Sequence, residues 1–247
     1  MDFTGKVVVI TGAAKGVGAS VAAGFAKKNA KAVIIADILD DKAQETAEGL
    51  SSAYGCSTLA YTLDVINENN VINMFKDVVD KFGTVDILVN CAAICPTVPY
   101  WQITSEDWDR TMNINLRGTF FCCREAMKIM APKKTGKIVN LTSLAAQIGG
   151  EASGMDYVAS KGGVLSLTMA FAKQGAPYNI NVNSVSPAYV NTDMAKNFTH
   201  FLPERVPLSR IAEPADIAGV ICFLCSDEAS YITGACIDVN GGVYMHS

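Results

Sequence analysis

A doubly wound α/β fold, with seven parallel strands and helices packed on both faces, is what the hydrophobic pattern of this chain predicts. Short β-branched apolar runs recur seven times along 247 residues, and segments of helical length and period separate them. A glycine-rich turn between the first strand and the first helix adds a ligand-binding crevice at the carboxyl edge of the sheet.

Each element has a local reason. Lys6-Val7-Val8-Val9-Ile10 is apolar at every position after the lysine, the pattern of a strand covered on both faces. The same signature recurs over residues 32–36, 59–65, 85–90, 137–142, 180–186 and 235–239. Helical period marks residues 17–29, 41–54, 68–82, 105–130, 155–176 and 214–226 between them. Because strand and helix alternate, right-handed crossovers join parallel strands. Thr104-Ser105-Glu106-Asp107 offers a hydroxyl cap and two carboxylates at the positive end of a helix dipole. Glu213-Pro214-Ala215-Asp216 places proline in a first turn, where its missing N–H costs little. No linker, low-complexity tract or charge block interrupts the chain, so one domain is expected over residues 1–247.

Composition narrows the function classes. With 50% hydrophobic and 18% charged residues the chain can bury a large core, which excludes disorder and coiled coil. Twenty Lys+Arg against 24 Asp+Glu give a net charge of -4, so there is no basic field for nucleic acid. The longest apolar runs, such as residues 32–36 and 87–89, fall far short of the roughly 20 residues that span a bilayer. Met1-Asp2-Phe3-Thr4-Gly5 lacks the pattern of a signal peptide, so a cytoplasmic protein without membrane contact is expected. Eight unevenly spaced cysteines read as reduced core thiols. Cys222 and Cys225 form a C-x-x-C with only His200 and His246 to add nitrogen ligands; both are expected in a helix core, and no metal is expected.

The chemistry-bearing motifs start at Thr11-Gly12-Ala13-Ala14-Lys15-Gly16-Val17-Gly18. Gly12 permits the tight turn, Gly16 lets backbone N–H groups approach a pyrophosphate, and Gly18 allows the helix to pack on the sheet. Asp37 follows 25 residues beyond Gly12, at the end of the second strand, which together with the turn predicts a dinucleotide site. Its carboxylate suits both adenosine ribose hydroxyls and repels a 2′-phosphate, so NAD is the expected cofactor; Lys15 argues the other way and leaves NADP open. Asp64 is expected to end the third strand on the adenine side, with Val65 beside it, and Asn90 to end the fourth and organise backbone there. Both would otherwise cap the turns that follow.

Tyr157-Val158-Ala159-Ser160-Lys161 falls on a predicted helix, so Tyr157 and Lys161 share a face. An ammonium beside a phenol favours the phenolate and is expected to bring its pKa down toward working pH. At this point the chain resembles the short-chain dehydrogenase/reductase family in its compact form, a single Rossmann-type domain. The resemblance covers nearly the whole sequence: the glycine turn, Asp64, Asn90-Cys91-Ala92-Ala93, Asn115, Ser143, Tyr157 with Lys161, Ser186-Pro187-Ala188 with Thr192, and Asp238-Val239-Asn240-Gly241-Gly242.

The resemblance implies that Tyr157 is the proton donor and acceptor, that Ser143 hydrogen-bonds the substrate oxygen, and that Lys161 binds the nicotinamide ribose. It implies that Asn115 holds a water in the proton relay, and that Thr192 with the backbone near Val190 holds the carboxamide. Further cofactor contacts are expected from Gly12, Lys15, Gly16, Val17, Gly18, Asp37, Asp64, Val65, Asn90, Ala92 and Pro187. The chain departs from the family pattern at Ala93 and Ala188, where glycine is usual, so the backbone there must avoid positive φ or shift. The interval of 14 residues from Ser143 to Tyr157 is one longer than usual, and Gly149-Gly150 or Ser153-Gly154 are the places to absorb it.

Three segments are expected to touch substrate: residues 94–101, including Pro96, Pro99, Tyr100 and Trp101; residues 147–156, including Gln147, Glu151 and Ser153; and residues 191–207. This mixed wall suits a small hydroxylated compound, a polyol or sugar derivative. The alternative enzyme reading is an NADPH-dependent 3-oxoacyl thioester (acyl-carrier-protein) reductase, with Arg110, Arg117, Arg124, Lys133 and Lys134 as a loose basic patch for the carrier. A non-catalytic dinucleotide sensor is the remaining class, disfavoured because Asn115, Ser143, Tyr157 and Lys161 are all present. The helices over 105–130 and 155–176 are apolar around much of their circumference (Phe120, Phe121, Cys122, Met127, Met169, Phe171). In the family these helices form a tetramer interface, so a homotetramer is expected.

Overall fold

A computed structural model of the chain describes residues 1–150, 153–197 and 202–246. Its strands are β1 (Val7–Thr11), β2 (Ala32–Asp37), β3 (Ser57–Thr62), β4 (Ile87–Asn90), β5 (Gly136–Leu141), β6 (Ile180–Pro187) and β7 (Cys236–Val239). They form one parallel sheet in the order β3-β2-β1-β4-β5-β6-β7. The helices are α1 (Gly16–Ala26), α2 (Asp40–Tyr54), α3 (Glu68–Phe82), α4 (Ser105–Met112), α5 (Gly118–Lys133), α6 (Ala145–Ile148), α7 (Met155–Gly175) and α8 (Pro214–Leu224).

The sheet is sandwiched, and alternation along β1 divides its side chains between two cores. Val8 and Ile10 join Phe25, Ala47 and Ile221 from α1, α2 and α8, whereas Val7 and Val9 join Phe75, Phe121 and Met130 from α3 and α5. Strand order reverses between β1 and β4, so their carboxyl ends open a crevice in which ligands bind in such sheets. The predicted Thr104 cap is formed, as a reciprocal capping box with Asp107; Pro214 sits in the first turn of α8 as expected, and Glu213 and Asp216 add a second capping box around it. Cys222 and Cys225 are buried in the core of the α8 face. No helix among the described residues is long and apolar enough to cross a membrane.

Some boundaries differ from the sequence expectation. β3 is Ser57–Thr62 rather than 59–65, so Asp64 lies beyond its end. The apolar run was longer than the strand because Leu63 and Val65 are buried in the connection that follows. The helix expected over 105–130 is α4 and α5 joined by a π-turn at Asn113–Arg117. The positive-φ non-glycine residues described are Asn29, Lys134, Asn179 and Ser209, so Ala93 and Ala188 take ordinary backbone conformations. Gly149 (φ 89°) and Gly150 (φ 69°) are both left-handed just after α6, where the longer connection to Tyr157 is accommodated.

Candidate active site

At the nucleotide end, β1 delivers Gly12 into the crevice and α1 begins at Gly16. A Cβ on Gly12 would stand 2.7 Å from the Ala92 backbone, and one on Gly18 would stand 2.1 Å from Gly12 O. Only glycine permits these approaches of turn to strand and helix to turn. The first turn of α1 has neither a side-chain cap nor an acid, so its N–H groups remain for an anion, and the cradle fits a pyrophosphate. Asp37 sits beside it: its carboxylate accepts from Ala14 N (2.9 Å) and Leu39 N (3.1 Å), tying the glycine turn to the exit of β2. Lys15, which the sequence offered to a 2′-phosphate, forms an ion pair with Asp193 at 3.3 Å. That pair joins the glycine turn to the segment after β6, beside Thr192, whose methyl lies 3.5 Å from the place a Gly16 Cβ would occupy.

At the opposite end of the crevice, β5 places Ser143 and α7 places Tyr157 and Lys161. Ser143 acts on the Tyr157 phenol as a polar neighbour, and the Lys161 ammonium lies 5.8 Å from the Tyr157 ring centroid while donating to Leu141 O at 2.7 Å. Burial acts on both titrating groups. It raises the Tyr157 phenol, with Cys95 adding to the rise and Ser143 opposing it. The same burial lowers Lys161 to about 8, against smaller opposing effects of Cys91 and Cys95. The expectation that the lysine brings the phenol down is therefore corrected: burial sets the direction and raises it. A pocket opens over the triad, lined by Cys95, Leu144, Ile148, Ser153, Tyr189 and Met194 among others. Pro187, Val190 and Thr192, expected beside the carboxamide, line the same pocket, together with Val17 from the start of α1.

Several expected residues have other engagements. Asn115 is buried in the π-turn, where its Oδ1 accepts from Ile94 N (2.9 Å) and its Nδ2 donates to Ile94 O (2.9 Å) and Ser160 Oγ (3.0 Å); its side chain clamps a loop. Asp64 accepts from Ile66 N, a local cap after β3. Asn90 does not organise backbone through its side chain: Nδ2 donates to Asn140 Oδ1 at 2.8 Å and approaches Cys123 Sγ, while Oδ1 has no protein partner. Ala92 N donates to Thr11 Oγ1 across β1 and β4. Val65 packs against the face of α5, 2.8 Å from where a Gly118 Cβ would stand.

The substrate wall is also redrawn. Gln147 Nε2 donates to Ser186 Oγ (3.0 Å) and Asp238 Oδ1 (2.7 Å), turning the amide away from the pocket that Ser153 lines. Tyr100 and Trp101 pack edge to face at 4.9 Å and are exposed; Tyr100 lines a separate groove with Trp108 and Met155. Glu151 and His200 lie outside the described residues, as do parts of the segments 147–156 and 191–207. Of the loose basic patch, Arg124 is paired with Glu68 and Glu125 at 2.7 Å each, and Lys133 with Asp86 at 2.7 Å. The sequence did not single out Cys95, which acts on Tyr157, or the pair of Thr111 and Asp156, the residue before that tyrosine; Thr111 and Asp156 are 45 residues apart and no local pattern announces their contact.

A family model described as Enoyl-(Acyl carrier protein) reductase matches residues 12–244. The chain is 36% identical over 244 residues to 3-oxoacyl-(acyl-carrier-protein) reductase FabG of Staphylococcus epidermidis, covering 97% of this chain and 99% of that protein. It is 38% identical over 253 residues to the FabG of Thermotoga maritima, covering 99% and 100%. Among solved structures, a short-chain type dehydrogenase/reductase from Mycobacterium ulcerans superimposes with a TM-score of 0.93 at 29% identity, covering 98% of this chain and 91% of that one.

Proposed function

The chain belongs to the short-chain dehydrogenase/reductase family of nicotinamide-dependent oxidoreductases, and on that premise we propose that it reduces the keto group of a 3-oxoacyl thioester with NADH. The observation that carries the substrate class is the wall over Ser143 and Tyr157, where Leu144, Ile148 and Met194 offer apolar surface to an acyl chain. The rotation of Gln147 onto Ser186 and Asp238 takes away the polar contact that a polyol would need. The relatives' names point the same way.

In this reading the dinucleotide supplies the hydride, and in oxidised form a positive charge beside the triad. Gly12, Gly16, Gly18 and the α1 N-terminus hold its pyrophosphate, Asp37 its adenosine ribose, Asp64 and Val65 the adenine side. Asn90 and Ala92 back the crevice, Lys161 holds the second ribose, and Pro187, Val190 and Thr192 hold the carboxamide. Ser143 donates to the substrate oxygen, and the Tyr157 hydroxyl gives that oxygen a proton as the alkoxide develops. Lys161 stabilises the phenolate that remains. Asp37 supports NADH over NADPH, since a 2′-phosphate would meet a carboxylate already fixed by two backbone N–H groups, while Lys15 is engaged with Asp193. Residues 1–247 act as one catalytic unit in this proposal, assembled as a homotetramer.

Asp37 also favours a second reading, NAD-dependent oxidation of a small hydroxylated alcohol. One experiment separates the two: steady-state turnover of a short 3-oxoacyl thioester and of a polyol panel, each with NADH or NAD and with the phosphorylated cofactors. The expected result is thioester reduction at a kcat/KM at least about tenfold above that for any polyol, with NADH preferred by a similar factor. Polyol oxidation exceeding thioester reduction would overturn the main reading, and preference for NADPH would put Lys15 rather than Asp37 in control.

A further inference from the structure

The catalytic helix α7 meets the α4–α5 helix along a row of paired polar side chains. Asp156 and Ser160 lie one turn apart on α7, and Thr111 and Asn115 about one turn apart on the facing helix. They pair in order: Thr111 Oγ1 donates to Asp156 Oδ2 (2.5 Å), and Asn115 Nδ2 donates to Ser160 Oγ (3.0 Å). All four are buried, Asp156 and Ser160 completely. The residue after each α7 partner is a site residue, Tyr157 after Asp156 and Lys161 after Ser160. Ser160 Oγ also donates to Tyr157 O at 2.7 Å.

From this juxtaposition we propose that Asp156 and Thr111 are positioning residues for Tyr157: their hydrogen bond fixes the axial setting of α7 and thereby the distance of the tyrosine hydroxyl from Ser143. The inference rests on the reading of Tyr157 as proton donor. A completely buried carboxylate is unfavourable unless it is paired, yet Asp156 Oδ1 has no protein partner, so Thr111 carries the pairing. The opposite rim is equally tight. A Cβ on Gly154 would stand 2.3 Å from Asp156 Oδ1, and Gly154 N donates to Pro96 O at 2.8 Å. That bond pins the loop carrying Cys95, a buried thiol that lines the pocket over Tyr157 and Lys161. One turn beyond the rungs, the Leu116 side chain packs on Gly163, 2.7 Å from where a Cβ would stand. The helices are therefore keyed at three successive levels, and only the first lies at the end of α7 that bears the tyrosine.

The variants Thr111→Val, Asp156→Asn, Asp156→Ala and the Thr111→Val/Asp156→Ala double test this, with Tyr157→Phe as the control. Loss of the hydroxyl in Thr111→Val or of the acceptor oxygen in Asp156→Ala is expected to lower kcat about tenfold or more, as misplacement of a reacting group does, with the NADH Kd within about twofold. The double variant is expected to be no worse than the poorer single, and Asp156→Asn, which still accepts from Thr111, to recover to within about threefold of the parent. A kcat for Thr111→Val within about twofold of the parent, or an Asp156→Asn no better than Asp156→Ala, would overturn the proposal. If Asp156→Ala does not fold, the near-isosteric Thr111→Val and Asp156→Asn decide alone. An active Tyr157→Phe would bring down the functional reading itself, whereas an inactive Tyr157→Phe beside a silent Thr111→Val would bring down this inference only.

Discussion

Lys161 and Tyr157 respond to one environment in opposite directions because burial disfavours whichever form carries charge: the protonated amine and the deprotonated phenol. With Lys161 lowered to about 8 and Tyr157 raised, the first proton the pair loses on raising pH is the lysine's. Below that point the tyrosine is a protonated acid beside a cation, the state that ketone reduction needs. Reduction measured as kcat/KM, which reports the free enzyme, is expected to fall as pH rises through about 8. Lys161→Arg, whose guanidinium stays protonated, should lose that limb whatever its absolute rate. A profile flat to about pH 10 in the parent would remove Lys161 from the proton-transfer step. The types of these two residues and their spacing were legible in the sequence. The sign of the tyrosine's shift was not, since it depends on how completely Cys95, Leu141 and the pocket wall exclude water.

At the scale of elements, the strand-turn-helix unit of β1 and α1 is held by contacts between backbones. A methyl on Gly18 would meet Gly12 O at 2.1 Å, where no side chain can swing aside. Gly18→Ala must push α1 off the turn, and overpacking of this kind costs about 1–3 kcal/mol, or about 2–12 °C in a chain of this size. The same shift opens the anion cradle, so NADH affinity should fall with the melting temperature; thermal denaturation with and without NADH reads both. Unchanged affinity in the variant would mean that the cradle does not hold the pyrophosphate. This unit was legible because each of its glycines meets a local steric demand. The π-turn at Asn113–Arg117 was hidden for the converse reason. Its residues keep a helical apolar period, and the widened turn is seen only where Asn115 clamps Ile94 and Ser160, 45 residues on. Gln147 was misplaced similarly, since a sequence cannot tell which way a polar side chain beside an active site turns when Ser186 and Asp238 compete for it.

Across the whole molecule, α5 and α7 share one outward groove whose floor is built at helical spacing from Met112, Leu116 and Phe120 on one side and Gly163, Leu167 and Ala170 on the other. Phe120 is 38% and Met169 46% exposed, while Phe121 and Cys122 turn inward to the sheet. A face this apolar, with Phe120 packed against Phe171 and the Arg124 guanidinium beside its ring, suits burial against a second copy of the same face. In the homotetramer we propose, the groove closes across a twofold axis, and Phe120→Glu would bury unpaired carboxylates there. Light scattering at micromolar concentration should give four times the chain mass for the parent and a smaller species for Phe120→Glu; a monomeric parent would refute the assembly. The consequence reaches the chemistry because the same α7 that offers Leu167 to the groove holds Tyr157 and Lys161 on its inner side. Covering the outer face presses α7 onto Thr111 and Asn115, so the dissociated variant should also lose kcat more than it loses NADH affinity.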